Sequence, residues 1–474
     1  MSYYAIVTKL KDVRQHPNAD RLQLATVFGN TICVDLSYKE DQLGIYFPTG
    51  GQLSVEFAEA NNLLRKKDAD GNNIGGYMDP DKRNVTAIKL RGEKSDGLFL
   101  PLHCLESFGD ISTLKTGDRI DTFNGVEICT KYVPRTQGRR GRVGTGNRTR
   151  KYKDPIAPLF AEHADTEQLA YNLGAFKVGD ELEFTLKMHG TSQRTGHLKV
   201  LTGYKKTIFD KLFKRAGKPI YDWGYVSGTR RVVLDTFEGG FYGSNAFREQ
   251  HHNTFVGKLW KGETCYYEVV GYTHTGASIM GSGNNEKLGK DFVKQYGKET
   301  VFSYGCSPIS HATVIDQPYD NGFAEYAPTG PQSDIYVYRM TMTNEDGEVV
   351  EYTPDFMRYR CEQMGVKCVP VFGKAILSDD RLRFMAPDGT DRDYLIGDGT
   401  IGDLVVRCAE DYYSGTDPVG KTHIREGVVV RIINRPKFAA VKHKNFEFKV
   451  LENILQANIE NSTSDIAEDV LAEM

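Results

Sequence analysis

Glu181-Leu-Glu-Phe-Thr-Leu-Lys187-Met-His189-Gly190-Thr-Ser192 is the stretch from which the rest of the chain can be interpreted. Its first six residues alternate polar and apolar side chains, which is typical of a strand with one buried face. A lysine ends the run, and a short polar turn follows. An amine in that position, desolvated or close to another cation, can act as a nucleophile because its pKa falls from about 10.4. This stretch therefore predicts a β-strand that ends in a candidate nucleophile.

The same short pattern occurs a second time in the chain. Lys94-Ser-Asp96-Gly97 also places a lysine two residues before a polar side chain and three before a glycine. Either lysine could be a surface lysine beside a turn, and one short motif does not decide between the two. Other segments have to be considered together with them.

Two further segments place a glutamate against an apolar strand. They are Tyr266-Tyr267-Glu268-Val-Val-Gly271 and Glu426-Gly-Val-Val-Val-Arg431. A buried carboxylate is unfavourable unless it meets a cation or a metal ion. Each glutamate alone could equally be a strand-end residue that bridges to a surface lysine.

The segment Val441-Lys442-His-Lys444-Asn445 carries two lysines two positions apart. In a strand, the side-chain period of two puts both ammonium groups on one face. Two like charges side by side are unfavourable unless an anion lies between them. Phosphate is the anion that this pattern suggests.

In their order along the chain, these segments resemble nucleotidyltransferase motifs I, Ia, III, IIIa, IV and V of ATP-dependent RNA ligases. The series runs from Lys187 to Lys444 as K-x-H-G-T-S, an arginine-bearing segment, Y-Y-E-x-x-G, an aromatic strand, E-G-x-V and K-x-K. The histidine at the third position of motif I is similar to the RNA ligase 2 group. Lys94 lies in the N-terminal region, outside this series.

The resemblance implies a role for each matched residue. Lys187 would attack the α-phosphorus of ATP, while Lys442 and Lys444 would bind the α-phosphate and the departing phosphates. Phosphoryl transfer depends mainly on positioning and charge neutralisation, so His189 is interpreted as a residue that orients the turn. The nucleotide-binding residues would be Arg230 or Arg231 (motif Ia), Glu268 (ribose hydroxyls), Tyr338 (adenine), His189 and Gly190. The residues that hold Mg²⁺ or Mn²⁺ would be Glu426 and Glu268. In motif IIIa the chain has Tyr338-Arg339, where these ligases tend to have an aromatic residue followed by Asp.

The N-terminal region reads as short strands separated by turn residues, which predicts an all-β barrel of roughly 100 to 130 residues. Its segment His16-Pro-Asn-Ala-Asp-Arg-Leu22 resembles the entry of OB-type tRNA-binding domains and the N-terminal domain of the Deinococcus-type (family 5) RNA ligases, and the stretch Val85 to Leu98 is similar to the same domain. The predicted fold class is thus an α+β nucleotidyltransferase (ATP-grasp-like ligase) domain preceded by an all-β OB-fold barrel.

A basic segment separates the two predicted domains. Residues 131–153 contain nine Lys or Arg and no acidic residue, although the net charge of the 474-residue chain is only −3. We therefore expect an OB-fold RNA-binding domain at 1–130, a basic linker at 131–160 and a nucleotidyltransferase domain with insertions at 161–474. DNA ligases and capping enzymes place an OB domain after motif V, yet 24 residues follow Val450, too few for a barrel.

Composition excludes several other classes of protein. No run approaches the roughly 20 apolar residues of a membrane span, and the N-terminus lacks the pattern of a signal peptide. The eight cysteines are scattered without C-x-x-C pairs, so we expect reduced thiols in a cytoplasmic monomer that does not bind membranes.

The sequence thus favours an ATP-dependent RNA ligase that joins 3′-hydroxyl and 5′-phosphate ends through a lysyl-AMP intermediate, in RNA nick sealing or repair. Its partners would be ATP and RNA, as a nicked duplex or as RNA ends. Two alternatives remain. The chain could be a nonenzymatic OB-fold RNA-binding protein, or an RNA-capping-type guanylyltransferase.

Overall fold

A computed structural model describes residues 3–71, 73–133, 156–213, 215, 217–234, 236–239, 242–308, 330–397 and 399–457. The chain divides into two compact units: unit 1 comprises Met1–Pro134 and Phe446–Ile454, and unit 2 comprises Arg135–Asn445 and Leu455–Met474. Most of the basic linker predicted at 131–160 lies outside the described residues.

Unit 1 is built mainly of short strands. A sheet in the order β11-β5-β1-β12 packs its apolar face on helix α1, with Val7, Phe47 and Phe57 in the core. The elements are β1 (Ala5–Lys9), β2 (Lys11–Gln15), β3 (Leu22–Val27), β4 (Asn30–Asp35), β5 (Leu43–Phe47), β6 (Gly51–Leu53), α1 (Val55–Ala60), β7 (Lys66–Lys67), β8 (Asn73–Gly75), β9 (Ala87–Leu90), β10 (Glu93–Asp96), β11 (Leu98–Pro101), a 3-10 helix (Leu102–Phe108), β12 (Arg119–Ile120), β13 (Thr122–Phe123), β14 (Val126–Glu127) and β15 (Cys129–Lys131).

The pairing of these strands differs from that of one continuous barrel. Beside the four-stranded sheet, β2-β3-β4 form a separate sheet, and the other pairs are two-stranded. Within the described part of unit 1, the strands therefore do not pair into a single closed ring. The short strands expected in this region are confirmed, whereas the OB-type barrel stays a prediction.

Unit 2 contains two large sheets. Sheet A has the order β16-β31-β30-β17-β27-β28-β29, and sheet B has the order β20-β19-β18-β21-β24-β25, with β26 also paired to β24. The strands are β16 (Glu167–Gln168), β17 (Glu181–Lys187), β18 (Thr191–Lys205), β19 (Lys218–Gly228), β20 (Val233–Leu234), β21 (Glu263–Gly271), β22 (Gly283–Asn284), β23 (Glu299–Thr300), β24 (Ser333–Thr343), β25 (Val349–Glu351), β26 (Lys367–Cys368), β27 (Val371–Leu377), β28 (Arg381–Met385), β29 (Asp391–Leu395), β30 (Gly427–Ile432) and β31 (Ala440–Lys444).

In the described part of unit 2, helices are fewer than strands. They are α2 (Ile208–Leu212), α3 (Ala246–Phe255), α4 (Lys290–Tyr296), α5 (Pro354–Met364) and α6 (Ile401–Tyr413), with 3-10 helices at Leu169–Tyr171, Leu173–Ala175 and Asn285–Leu288. Helix α6 starts with a capping box in which Thr400 and Asp403 each bond the other's backbone N–H, a common helix start.

Sheet A has one apolar and one polar face, as strand alternation requires. Phe184 on β17 and Val430 on β30 pack with Leu404 of α6 in the core behind the sheet. The alternate residues of the same two strands, including Thr185 on β17 and Val429 on β30, face a cleft on the opposite side of the sheet. The strand predicted to end at Lys187 is thus confirmed, with the core helix on its apolar side.

The final described helix, α7 (Phe446–Ala457), follows β31 directly, and its residues up to Ile454 belong to unit 1. Lys449 Nζ lies 2.5 Å from Asp96 Oδ2, and Lys94 Nζ lies 3.1 Å from Glu447 Oε1. The K-x-D-G motif of the N-terminal region therefore attaches this helix to β10.

Apolar helices long enough to cross a membrane are absent from the described parts of the chain.

Candidate active site

Glu426 is the centre of a buried cluster of charged groups. Lys187 Nζ lies 2.8 Å from Glu426 Oε1, and Lys444 Nζ lies 3.1 Å from the same oxygen. His189 Nδ1 lies 3.6 Å from the other oxygen, Oε2. The Glu426 side chain is 2% exposed, while those of Lys187 and Lys444 are 23% and 16% exposed. The structure thus brings four of the predicted site residues together.

Strand register explains this arrangement. On sheet A, Lys187 of β17 is opposite Gly427 of β30, which in turn is opposite Lys444 of β31. Glu426 immediately precedes that glycine. A Cβ atom on Gly427 would lie 2.1 Å from the His443 carbonyl oxygen, so a side chain here would push β31 away. Gly427 thus allows β30 and β31 to approach closely, so that both lysine ammonium groups contact one carboxylate.

Charge keeps the Glu426 carboxyl ionised in spite of its burial. Burial by itself raises the pKa of Glu426, but the ammonium groups of Lys187 and Lys444 and the neighbouring His189 outweigh it and hold this pKa well below its usual range. A desolvated carboxylate is stabilised when opposite charges lie within hydrogen-bond distance. Glu426 is therefore an anion at neutral pH.

The turn after Lys187 is held by Glu268 of β21. Gly190 donates its backbone N–H to Glu268 Oε1 at 3.1 Å. A Cβ atom on Gly190 would lie 2.4 Å from the Val269 carbonyl oxygen and 2.8 Å from the Glu268 side chain. The glycine is thus required where the turn passes close to sheet B.

Tyr338 reaches the cleft by means of an irregularity in strand β24. Tyr266 is opposite Arg339 and Tyr267 is opposite Val337, so Tyr338 has no opposite residue on β21. Such bulges often redirect a side chain beside a functional site. The Tyr338 hydroxyl lies 2.9 Å from Ser192 Oγ, and its ring lines the cleft. Its neighbour Arg339 pairs instead with Glu351.

The two motif Ia candidates share one acidic partner. Arg230 Nη1 lies 3.4 Å from Asp165 Oδ1, and Arg231 Nη2 lies 3.3 Å from Asp165 Oδ2. Arg230 also lines the cleft, whereas Arg231 is not part of the lining. The geometry therefore favours Arg230 as the arginine of the site.

The cleft itself contains about 820 Å³ of atom-free space, part of it continuous with solvent. Lys187, Arg230, Glu268 and Tyr338 contribute to its lining. The other predicted residues lie outside the lining: His189, Gly190, Arg231, Glu426, Lys442 and Lys444. Lys187 is thus the residue that connects the cleft to the Glu426 cluster.

Lys442 takes the place in β31 that its spacing predicts. It is opposite Val429, a cleft residue, and shares its strand face with Lys444. The expected pair of lysines on one face is confirmed. Lys444 contacts the carboxylate of Glu426.

Two cleft residues that sequence reasoning missed are Arg431 and His163. Arg431 is 8% exposed and donates Nη2 to the Tyr352 carbonyl oxygen at 2.8 Å. Its Nε and Nη1 have no hydrogen-bond partner within the described ranges of the chain. Its position two residues after Val429 on the same strand face could have identified it. His163 lies on a loop without a pattern. Burial, and then the charge of Arg230, lowers the pKa of His163 well below its usual range.

Two glutamates meet the requirements of a divalent-metal site only in part. Among the residues that the structure describes, Glu426 Oε2 is buried without a hydrogen-bond partner, and Glu268 accepts from the Gly190 N–H in the turn that carries His189. No group of three or more His, Cys, Asp or Glu among the described residues is arranged to hold a metal ion. Mg²⁺ commonly takes one or two carboxylates, with phosphate and water oxygens completing its shell. These residues therefore fit a metal ion that arrives with a phosphorylated substrate.

Chemically, the arrangement combines a lysine amine, a second cation and a cleft that is lined by both charged and apolar side chains, with Tyr338 as an aromatic wall. Lysine amines can form covalent bonds with electrophiles, and lysine ammonium groups bind phosphate as point charges. A ligand with an aromatic base and a phosphate chain matches this site, because the base can pack in the cleft and the phosphates can bind the lysines.

Comparison with solved structures identifies the fold. The chain is similar to Naegleria gruberi RNA ligase in a mutant form with ATP and Mn, at 14% identity and a TM-score of 0.51, covering 95% of this chain and 98% of that one. An apo mutant and a mutant with AMP and Mn give the same identity and TM-score, each covering 94% of this chain and 97% of the other.

No protein-family model and no curated protein matches the sequence. At 14% identity the structural likeness concerns the fold. The expected nucleotidyltransferase architecture of mixed sheets and helices is confirmed to that extent. The chain has the fold of an RNA ligase.

Proposed function

We propose that this protein is an ATP-dependent RNA ligase that works through a lysyl-AMP intermediate. The observation that carries the proposal is the position of Lys187, whose amine is 2.8 Å from the buried Glu426 carboxylate and whose side chain lines a cleft with Tyr338 and Glu268. The resemblance of the ordered motifs and the fold of Naegleria gruberi RNA ligase support it.

Before the first step, the Lys187 ammonium group releases a proton to solvent, to which its side chain is 23% exposed. The free amine attacks the α-phosphorus of ATP, a nitrogen–phosphorus bond forms, and the bond from the α-phosphorus to the bridging oxygen breaks. Pyrophosphate leaves with the electron pair, and the nitrogen releases its second proton to solvent. Lys444 and Lys442 bind the phosphates and neutralise developing charge. Tyr338 stacks on adenine and Glu268 binds the ribose. A bound Mg²⁺ or Mn²⁺, held by Glu426 and Glu268, would further neutralise phosphate charge.

The AMP group then passes to a 5′-phosphate end of RNA, and the 3′-hydroxyl of the adjoining end displaces AMP. We further propose that the chain belongs with the Deinococcus-type (family 5) ligases, because the His16-Pro-Asn-Ala-Asp segment and the stretch Val85 to Leu98 resemble their N-terminal domain. His189 of motif I is similar to the RNA ligase 2 group. In this proposal an OB-type domain at the N-terminus binds RNA, and the substrate is a nick or a break in RNA.

Incubation of the pure protein with ATP or GTP labelled in the α-phosphate tests the first step. We expect an acid-stable label on the protein from ATP. A label from GTP would instead favour a capping guanylyltransferase, and no label would favour a nonenzymatic RNA-binding protein. Lys187→Ala should abolish labelling, whereas Lys94→Ala should retain it because Lys94 contacts Glu447 in unit 1.

A sealing assay tests the substrate. Nicked duplexes with RNA or DNA on each side of the nick, and single-stranded RNA ends, are incubated with ATP. We expect joined product when RNA supplies the 3′-hydroxyl at a nick. Labelling of the protein without sealing of any of these substrates would contradict the ligase assignment while leaving the nucleotidyltransferase step intact.

A further inference from the structure

A buried tyrosine lies behind the turn that follows Lys187, and no motif in the sequence pointed to it. Tyr304 is 3% exposed. Its hydroxyl accepts a hydrogen bond from the backbone N–H of His189 at 2.8 Å. A buried backbone N–H needs such a partner, because a donor left unsatisfied is unfavourable. The residue thus supports the backbone two positions after the proposed nucleophile.

The backbone of Tyr304 is held in an unusual conformation. Its φ angle is +50°, in the left-handed region that bulky residues rarely adopt. The turn is closed by a hydrogen bond from the Cys306 N–H to the Ser303 carbonyl oxygen at 2.8 Å. Such strain persists only where the surrounding structure fixes it, and it is found frequently at functional sites.

Aromatic rings fix the orientation of the Tyr304 side chain. The buried His423 ring meets the Tyr304 ring edge-on at 4.7 Å. Phe302, from the same segment as Tyr304, lies 4.6 Å from the His189 ring and 5.1 Å from the His423 ring. Residues 302 and 304 therefore support both the backbone and the ring of His189.

The Tyr304 hydroxyl remains neutral among carboxylates. Burial and then the negative charge of Asp417 raise the pKa of Tyr304 well above its usual range, and the charges of Glu426 and Glu268 act in the same direction. A protonated hydroxyl can accept from the His189 N–H and donate its own proton at the same time.

We propose that Tyr304 is a positioning residue for nucleotidyl transfer. By accepting the hydrogen bond from the His189 N–H, Tyr304 fixes the turn between β17 and β18. The fixed turn keeps the Lys187 amine beside the Glu426 carboxylate and keeps the hydrogen bond from the Gly190 N–H to Glu268. Tyr304 touches none of the reacting atoms. The inference rests on the proposed role of Lys187, and it gives a function to the segment at 272–308.

The variant Tyr304→Phe tests it, because the ring packing is kept and the hydroxyl is lost. We expect the rate of protein adenylylation at saturating ATP to fall about tenfold or more, the effect of one hydrogen bond of roughly average strength. The KM for ATP should stay within about twofold of wild type, since the cleft lining is unchanged.

Tyr394→Phe is the matched control. Tyr394 is also buried and donates its hydroxyl to Asp411 Oδ2 at 2.7 Å, but it lies on β29 in the core of sheet A. This variant should lower the thermal midpoint and leave the adenylylation rate unchanged. Equal losses of rate in both variants would reduce the role of Tyr304 to general stability and overturn the proposal.

Hydrogen exchange provides a readout that needs no ATP. The His189 and Gly190 amides should exchange faster in Tyr304→Phe and stay protected in Tyr394→Phe. Unchanged exchange, or an unchanged adenylylation rate, would overturn the positioning role. If the wild-type protein formed no adduct, the proposed function would fail, and the exchange result would still decide whether Tyr304 holds the turn.

Discussion

Among single residues, Glu426 contacts two lysines of the site through one carboxylate oxygen. Its carboxylate is 2% exposed and lies within 3.1 Å of two ammonium groups. The folded-state pKa of Glu426 is depressed well below the usual 4.5. A depressed carboxyl pKa contributes stability that is present above the unfolded pKa and is lost as the pH falls through the folded pKa. This cluster should therefore stabilise the fold at neutral pH and lose that effect in acid.

Glu426→Gln removes the negative charge and leaves Lys187 and Lys444 facing each other. We expect a loss of about 3 kcal/mol in the free energy of unfolding at pH 7, measured by chemical denaturation. The difference from wild type should shrink as the pH falls below 4.5, because the unfolded wild-type chain then takes up a proton that the folded protein does not. It should be lost once the pH passes through the depressed folded-state pKa. A difference that stays constant with pH would contradict the electrostatic explanation.

Gly190 allows the turn to approach sheet B. Gly190→Ala introduces a Cβ atom 2.4 Å from the Val269 carbonyl oxygen, so we expect a loss of roughly 1–3 kcal/mol in the free energy of unfolding together with a loss of protein adenylylation. Gly203→Ala is the control, because no heavy atom lies within 4 Å of the position of its Cβ. Equal effects of the two variants on stability would refute the close-approach argument.

At the scale of elements, strand registers decide which side chains meet. Lys187, Gly427 and Lys444 come together through the pairing of β17, β30 and β31, and the shift in β24 directs Tyr338 to the cleft. The alternating pattern of β17 could be recognised in the sequence. The irregularity in β24 could not, because a bulge depends on the pairing with β21, which no local pattern encodes.

Helix α7 provides a prediction about element stability. Lys449 and Asp96 are 14% and 5% exposed, and the other oxygen of Asp96 accepts a bond from Thr49 at 2.7 Å. Lys449→Ala should lower the opening free energy of residues 446–457 by about 2 kcal/mol, as the loss of a charged hydrogen bond does.

Hydrogen exchange of these amides measures that energy. The control is Lys94→Ala on the facing strand, whose Lys94–Glu447 pair is 45% and 21% exposed and should contribute roughly 0.5 kcal/mol or less. An equal effect of both variants would show that burial of the ion pair does not determine the strength of this attachment.

For the molecule as a whole, the strands and the series of charged site residues could be predicted from the sequence. The buried residues that surround these charged side chains could not. Lys187, Glu426 and Lys444 were identified because their neighbours form recognisable motifs. Tyr304 and His163 were missed because they lie on loops, where no periodicity marks a side chain that reaches the site. Arg431 could be placed on the same strand face as Val429 from the alternating pattern, but the sequence does not show that this face lines the cleft.

Charge along the whole chain leads to a prediction about RNA binding. Residues 131–153 carry nine cations and no anion, so counterion release should make binding strongly dependent on salt. We expect the affinity for single-stranded RNA to fall by a factor on the order of 10³ between 50 and 200 mM salt if about six to ten phosphates are contacted. Replacing these nine residues with serine should flatten the slope measured by fluorescence anisotropy, and an unchanged slope would place the RNA contacts elsewhere.

Mapping of the covalent nucleotide shows which residue of the chain is the nucleophile. The protein is incubated with ATP and a divalent metal ion, digested and analysed by mass spectrometry. We expect AMP on the peptide that contains Lys187, present in Lys94→Ala and absent in Lys187→Ala. AMP on a different residue, or an unmodified Lys187 in a folded protein saturated with ATP and metal ion, would contradict this expectation.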